Sequence, residues 1–192
     1  EGYANVPPGL NEVIAVAAGG YHALALKRNG RVVGWGQSEY GQTSPPANLT
    51  NAVAIAAGGH HSLALRANGT VVGFGYNGSG ETMPPAGLSN VIAIAAGANQ
   101  SLALRADSTV VAWGANYFGQ TNVPAGLSNV VAISAGDGFN LALRRDGSVV
   151  AWGRGDHGQT NPPASLTNVL AIEAGTSHSL ALVPPAPPLT LA

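Results

Sequence analysis

Five histidines, nine acids and a scatter of serines are the side chains in this 192-residue chain that could do chemistry. His22, His61 and His178 share one position of a 39-residue spacing, the arrangement a ring of metal ligands would need. The other two positions on that spacing hold Gln100 and Phe139. A phenyl group ligates nothing, so the ring is not a metal site. The histidines read instead as strand-start residues bonded to neighbouring backbone. His60 stands beside His61, and strand alternation sends the two to opposite faces. The carboxylates are Glu1, Glu12, Glu39, Glu81, Asp107, Asp137, Asp146, Asp156 and Glu173. No repeat offers two of them together for acid–base work, and Asp107 and Asp146 have a structural reason to stand in turns. Ser62, Ser101 and Ser179 belong to the spacing, and no Gly-x-Ser-x-Gly elbow occurs. Gly73-Phe74-Gly75 ends a strand rather than opening a helix, so it cradles no phosphate. There is no cysteine for a disulfide or a thiolate metal site. The expectation is no catalysis, no cofactor and no metal.

The spacing itself carries the information. Trp35, Phe74, Trp113 and Trp152 are 39 apart, as are Gly19, Gly58, Gly97, Gly136 and Gly175. It never slips, so no unit carries an insertion, and the units share one core. Residues 51–84 show what one unit contains. Ala52 to Ala57 is a short buried strand stopped by Gly58-Gly59. His61 to Leu65 alternates, and Asn68-Gly69 then predicts a type I′ hairpin turn. Val71 to Gly75 is a third strand, Tyr76 to Gly80 a polar loop, and Glu81 to Met83 a short fourth strand ended by Pro84-Pro85. The expected fold is all-β: a β-propeller of about five blades, each a four-stranded antiparallel meander of 39 residues. Small residues fill the crowded axis, and the Trp row fills the space between neighbouring sheets.

Residues 1–182 read as propeller repeats and 183–192 as a proline-rich tail. The chain starts inside a repeat, since Gly2 matches Gly41, which suits a trimmed or mature piece. Leu189 to Ala192 falls opposite Val33 to Gly36, and Glu1-Gly2 opposite Tyr40-Gly41. The two ends together could close a five-bladed ring inside the last blade. Alternatively the prolines are a linker to another domain, or an incomplete ring pairs its open edge with a second copy. Monomer and strand-paired homo-oligomer both stand.

Charged residues are 9% of the chain and the net charge is −1, which leaves no basic face for nucleic acid. No apolar run approaches the ~18 residues of a membrane helix. Low charge without cysteine suits an exported or cell-surface protein.

Two windows break the repeat. One follows the first strand: Gly20-Tyr21, Gly59-His60, Ala98-Asn99, Asp137-Gly138 with Phe139, and Thr176-Ser177. The other follows the third: Gln37 to Tyr40, Tyr76 to Ser79, Ala115 to Phe118, and Arg154 to His157. In an up-down meander both lie at one end of the blade, so together they tile one face. Aromatics among Asn and Ser are the chemistry of a binding surface. The candidate contact residues are Tyr21, Tyr40, His60, Tyr76, Asn77, Asn99, Asn116, Tyr117, Phe118, Phe139, Asp156 and His157.

The sequence resembles the regulator of chromosome condensation repeat family. The resemblance rests on Gly59-His60-His61-Ser62-Leu63-Ala64-Leu65, Trp113-Gly114-Ala115-Asn116 and Gly119-Gln120-Thr121, recurring over nearly the whole chain. The Gly-Gln-Thr-x-x-Pro variant is most similar to the bacterial branch, which includes a secreted β-lactamase-inhibitory protein. The resemblance implies a propeller, normally of seven blades, whose loops meet a partner protein. Family members that exchange nucleotide on a small GTPase use a wedge-like insertion, and the constant period here leaves no room for one. The expected function is a non-catalytic protein-binding scaffold. The alternatives are a carbohydrate-binding module, with glycan as partner, and a structural spacer in a larger surface protein.

Overall fold

The computed structural model describes residues 5–185, which form fourteen strands and no helix. In the first unit β1 (Val13–Ala18), β2 (His22–Lys27) and β3 (Val32–Gly36) make an antiparallel sheet in that order. Three units repeat it: β4 (Ala52–Ala57), β5 (His61–Arg66) and β6 (Val71–Gly75); β7 (Val91–Ala96), β8 (Gln100–Arg105) and β9 (Val110–Gly114); β10 (Val130–Ala135), β11 (Phe139–Arg144) and β12 (Val149–Gly153). The fifth unit has two described strands, β13 (Ala171–Ala174) and β14 (Ser179–Leu182).

Alternation along each middle strand decides the packing. Leu63 and Leu65 of β5 face forward, and Ala64 faces back. Leu63, Leu65, Val91, Ala103 and Trp113 form one buried slab between the second and third sheets. Leu24, Leu26, Ala64 and Phe74 fill the same place one unit earlier, and Leu102, Leu104, Ala142 and Trp152 one unit later. The core is therefore a series of slabs, each made by the leucine pair of one unit and the indole or phenyl of the next. That is propeller packing.

At the narrow side, first strands β1, β4, β7, β10 and β13 lie next to one another. A Cβ on Gly58 would overlap the Gly97 carbonyl oxygen, and one on Gly97 would overlap that of Gly136. Backbone amides use this closeness: Gly20 N donates to Gly58 O at 3.0 Å, and Gly59 N to Gly97 O at 3.1 Å. The glycine row is there because neighbouring backbones touch.

Two local expectations are corrected. The hairpins are not type I′: Gly30, Gly69 and Gly147 have positive φ, as does Ser108, but Asn29, Asn68, Asp107 and Asp146 do not. Each Asn or Asp side chain instead accepts the amide two residues on, as in Thr70 N to Asn68 Oδ1 at 3.2 Å and Ser148 N to Asp146 Oδ1 at 2.9 Å. That bond holds a turn with one left-handed residue rather than two. The fourth strand is also absent among the described residues, and each full sheet has three. Gln42 to Ser44 and Glu81 to Met83 close turns, with Ser44 N on Gly41 O at 2.9 Å and Met83 N on Gly80 O at 3.0 Å. Amides used in a turn cannot extend a ladder.

Glu1-Gly2 and Leu189 to Ala192, the segments expected to close the ring, lie outside the described residues. Within them, the first and fifth sheets do not pack closely on each other. Val16 is 72% exposed, whereas its counterparts Ile55, Ile94 and Ile133 are half-buried by the preceding sheet.

Candidate protein-binding face

The two variable windows meet through the backbone. Gln37 N donates to Tyr21 O at 2.8 Å, Tyr76 N to His60 O at 2.9 Å, Ala115 N to Asn99 O at 2.9 Å and Arg154 N to Gly138 O at 2.9 Å. The strand order puts both connections at one end of each three-stranded sheet, and these bonds join them into one rim.

Each loop on the rim is fixed by the residue after a recurring glycine. The side-chain oxygen of Gln42 accepts Tyr40 N at 3.0 Å, that of Gln120 accepts Phe118 N at 2.8 Å, and that of Gln159 accepts His157 N at 2.8 Å. Glu81 does the same for Ser79 N at 2.7 Å. The backbone carbonyls of these residues then hold the next sheet. Glu81 O accepts Ser101 Oγ at 2.8 Å and Trp113 Nε1 at 2.9 Å. Gln120 O accepts Asn140 Nδ2 at 2.7 Å and Trp152 Nε1 at 3.0 Å. One residue thus shapes a rim loop and staples two sheets.

Four of the candidate residues form a single aromatic cluster. Tyr21 stacks on His60 with centroids 5.3 Å apart. Tyr40 meets His60 edge-on at 5.6 Å and Tyr76 edge-on at 4.9 Å. These geometries suit the ring quadrupoles. The tyrosines stay about half exposed although they are packed together. Tyr117, 78% exposed, reaches Ser79 Oγ at 3.3 Å and so connects the cluster to the next one.

There, the Arg154 guanidinium lies 5.2 Å from the centre of the Phe118 ring. It also pairs with Asp137 at 3.2 Å and Asp156 at 2.9 Å. The hydrogen bond from Arg154 holds the Asp156 carboxyl below the usual range, and the same bond raises the arginine. His157 is exposed, 3.9 Å from Asp156. Between the clusters and the axis runs a groove of about 520 Å³, floored by the glycine row and rimmed by Tyr21, His60, Asn99 and Asp137.

Three candidates have other duties. Asn77 Oδ1 accepts Thr82 N at 3.1 Å, and Asn116 Oδ1 accepts Thr121 N at 3.0 Å, so both brace their own loops. Phe139 is corrected: it is fully buried. It is the first residue of β11, in register with His22, His61 and Gln100, and its ring fills the interior beside Gly136. It adjoins the variable window, but the inward strand position begins there. Arg154, Asp137 and Ser79 belong to the face and were not among the candidates. Arg154 replaces Gln37, Tyr76 and Ala115 of its siblings, and that change to a charged residue was the available signal.

The repeated histidines lie behind the face. His22 Nε2 is 2.8 Å from Ser62 Oγ, and His61 Nε2 is 3.0 Å from Ser101 Oγ. Their partners are side chains of the next unit rather than the backbone expected. Burial first, and then the charge of neighbouring histidines, pushes both down to about 4.

Packed three-stranded sheets around a glycine-lined axis, with variable loops on one rim, define a repeat-built β-propeller scaffold. The chain belongs to the regulator of chromosome condensation family: the Regulator of chromosome condensation (RCC1) repeat matches residues 13–42, 52–81, 91–120 and 130–159. No curated protein matches it in sequence. Among solved structures it is similar to yeast RCC1 (Prp20) bound to Kap60, with 25% identity and a TM-score of 0.75 over 89% of this chain and 54% of that one. A second structure, of Prp20p from Saccharomyces cerevisiae, gives 24% and 0.76 over 89% and 56%. The ectodomain of the Physcomitrella patens receptor kinase CR4 gives 24% and 0.71 over 90% and 49%. The chain spans about half the length of these relatives.

Proposed function

We propose that this chain is a non-catalytic scaffold, exported or on a cell surface, that binds another protein through the loop rim. The observation that carries the reading is the aromatic cluster of Tyr21, Tyr40, His60 and Tyr76, continued by Tyr117 and Phe118. Exposed aromatic side chains held by their neighbours lose little freedom on binding, and such residues dominate interface energetics. The loops are braced by buried Gln and Glu side chains, so the face is formed before a partner arrives. A protein partner on this scaffold has a parallel in yeast RCC1, which is bound to Kap60 in its structure. Low charge and the absence of cysteine support export, and the Gly-Gln-Thr repeats support a bacterial origin.

Glycan binding is the second reading, because tyrosine rings can stack on sugars. It calls for several equivalent sites, one per unit. Tyr40 and Tyr76 instead pack edge-on against each other, and no aromatic recurs at one loop position in all units, which favours the protein reading. A glycan array showing several equivalent sugar sites would reverse that preference.

The direct test is site-specific photo-crosslinking. A crosslinking side chain at Tyr117 captures the partner, and one at Asn68, on the opposite hairpin rim, does not. Equal capture from both positions, or capture from Asn68 alone, contradicts the assignment.

A further inference from the structure

The fifth sheet stops at two described strands, and the space beside it has a defined shape. A cavity of about 390 Å³ opens there, lined by Leu141, Val149, Ala151, Pro162 and Leu166 with Leu180 at its edge. Thirty-nine residues earlier, the corresponding positions are Leu102, Val110, Ala112, Val123 and Leu127. Those five surround Trp152 in the core between the third and fourth sheets. The cavity wall is therefore the indole site of an internal interface, repeated one unit on.

The polar groups repeat as well. In the third and fourth units, one backbone carbonyl accepts both a strand side chain and an indole N–H: Glu81 O takes Ser101 and Trp113, and Gln120 O takes Asn140 and Trp152. In the fifth unit, Gln159 O takes Ser179 Oγ at 2.7 Å. The indole half of the pair has no counterpart among the described residues. Among the described residues β14 is also an open edge. It pairs with β13 on one side, and Leu180 and Leu182 are 58% and 61% exposed, although their counterparts Leu141 and Leu143 are buried.

We propose that β14 and this cavity form a strand-addition site for an extended segment of another polypeptide, carrying a tryptophan among small and β-branched residues. The internal pairing fixes the register. Asn140 faces Trp152 and Leu141 faces Ala151 in the fourth sheet, so the incoming tryptophan stands opposite Ser179 and the residue before it opposite Leu180. Ladder hydrogen bonds supply affinity, and the indole pocket supplies selectivity. After β14 the sequence lacks the turn residues that the sibling units carry. The sibling hairpin needs a left-handed residue at Gly147, φ +80°. The matching position is Ala186, flanked by Pro184-Pro185 and Pro187-Pro188, which donate no amide.

The test uses the full chain and a labelled peptide with the sequence of residues 147–154, GSVVAWGR, followed by fluorescence anisotropy. The expected result is saturable binding, weakened about tenfold or more when alanine replaces the peptide tryptophan. No binding, or equal binding of both peptides, overturns the proposal. Binding seen only in the Leu191→Asp variant of the same chain also overturns it, because residues of this chain would then be the occupant.

Discussion

His61 Nε2 lies 3.0 Å from Ser101 Oγ, across the boundary between the second and third sheets. Ser101 donates its only hydroxyl proton to Glu81 O at 2.8 Å, so the serine accepts from the histidine, and the imidazole is neutral with its proton on Nε2. His22, Ser62 and Gln42 O repeat the relay one unit earlier. His22 Nδ1 is buried without a partner. A second proton there would have no acceptor, which is the structural side of its lowered pKa.

This relay predicts acid sensitivity. Both histidines titrate near 4 when folded and near 6.5 in the unfolded chain. Between those values the unfolded state takes up protons that the folded state does not, so stability falls as the pH drops from about 6.5 to 4. For fully buried His61 the loss is on the order of 3 kcal/mol. Urea unfolding at pH 7 and pH 4.5 reads it. His61→Phe installs the residue type that the fourth unit carries at Phe139, and it removes much of the slope. Equal wild-type stability at the two pH values would refute the relay's role.

Trp113→Ala removes a buried indole and its bond to Glu81 O, at a cost of about 3–5 kcal/mol. Trp113→Phe loses the bond but keeps most of the packing, as Phe74 does, and costs about 1 kcal/mol. Equilibrium unfolding separates them, and equal losses would show that the indole N–H and the packing had been misassigned.

Gly97→Ala tests the axis. Its Cβ meets the Gly136 carbonyl oxygen and the Gln100 side chain, and about 3 kcal/mol is lost. Gly126→Ala meets no atom within 4 Å and bears only the strain of φ +76°, about 1 kcal/mol. A Gly97 variant as stable as the Gly126 variant would mean that neighbouring sheets are not in backbone contact.

Glu81→Gln restores the residue found at Gln42, Gln120 and Gln159. Glu81 is fully buried, and its Oε1 has no hydrogen-bond partner. A neutral amide keeps the bond to Ser79 N with a smaller burial cost, so stability rises by about 1 kcal/mol. A loss of stability on thermal or urea unfolding would show that the carboxylate is required.

The repeat made most of the architecture legible. Constant spacing located every sheet, and the leucine alternation and Trp row located the slabs between them. Placing both variable windows on one rim followed from strand order alone, and the Gln37–Tyr21 and Tyr76–His60 bonds realise it. Three features were not readable for physical reasons. A side-chain bond from Asn68 selects the turn type, which the Asn-Gly pair alone does not. The segment after Gly41 looks extended in sequence, but its amides close a turn. Phe139 adjoins a variable window, yet one residue of alternation sends it inward. The double duty of Gln120 was visible only as a recurring letter, because its meaning lies in contacts 20 and 32 residues away.

The most direct test of the binding face is a comparison of affinities for the partner captured at Tyr117. Tyr117→Ala with Phe118→Ala should weaken binding by about 2 kcal/mol, roughly thirtyfold. Arg66→Ala with Arg105→Ala, next to the hairpins at the opposite rim, should leave it unchanged. Full affinity in the first pair together with a loss in the second would contradict the account.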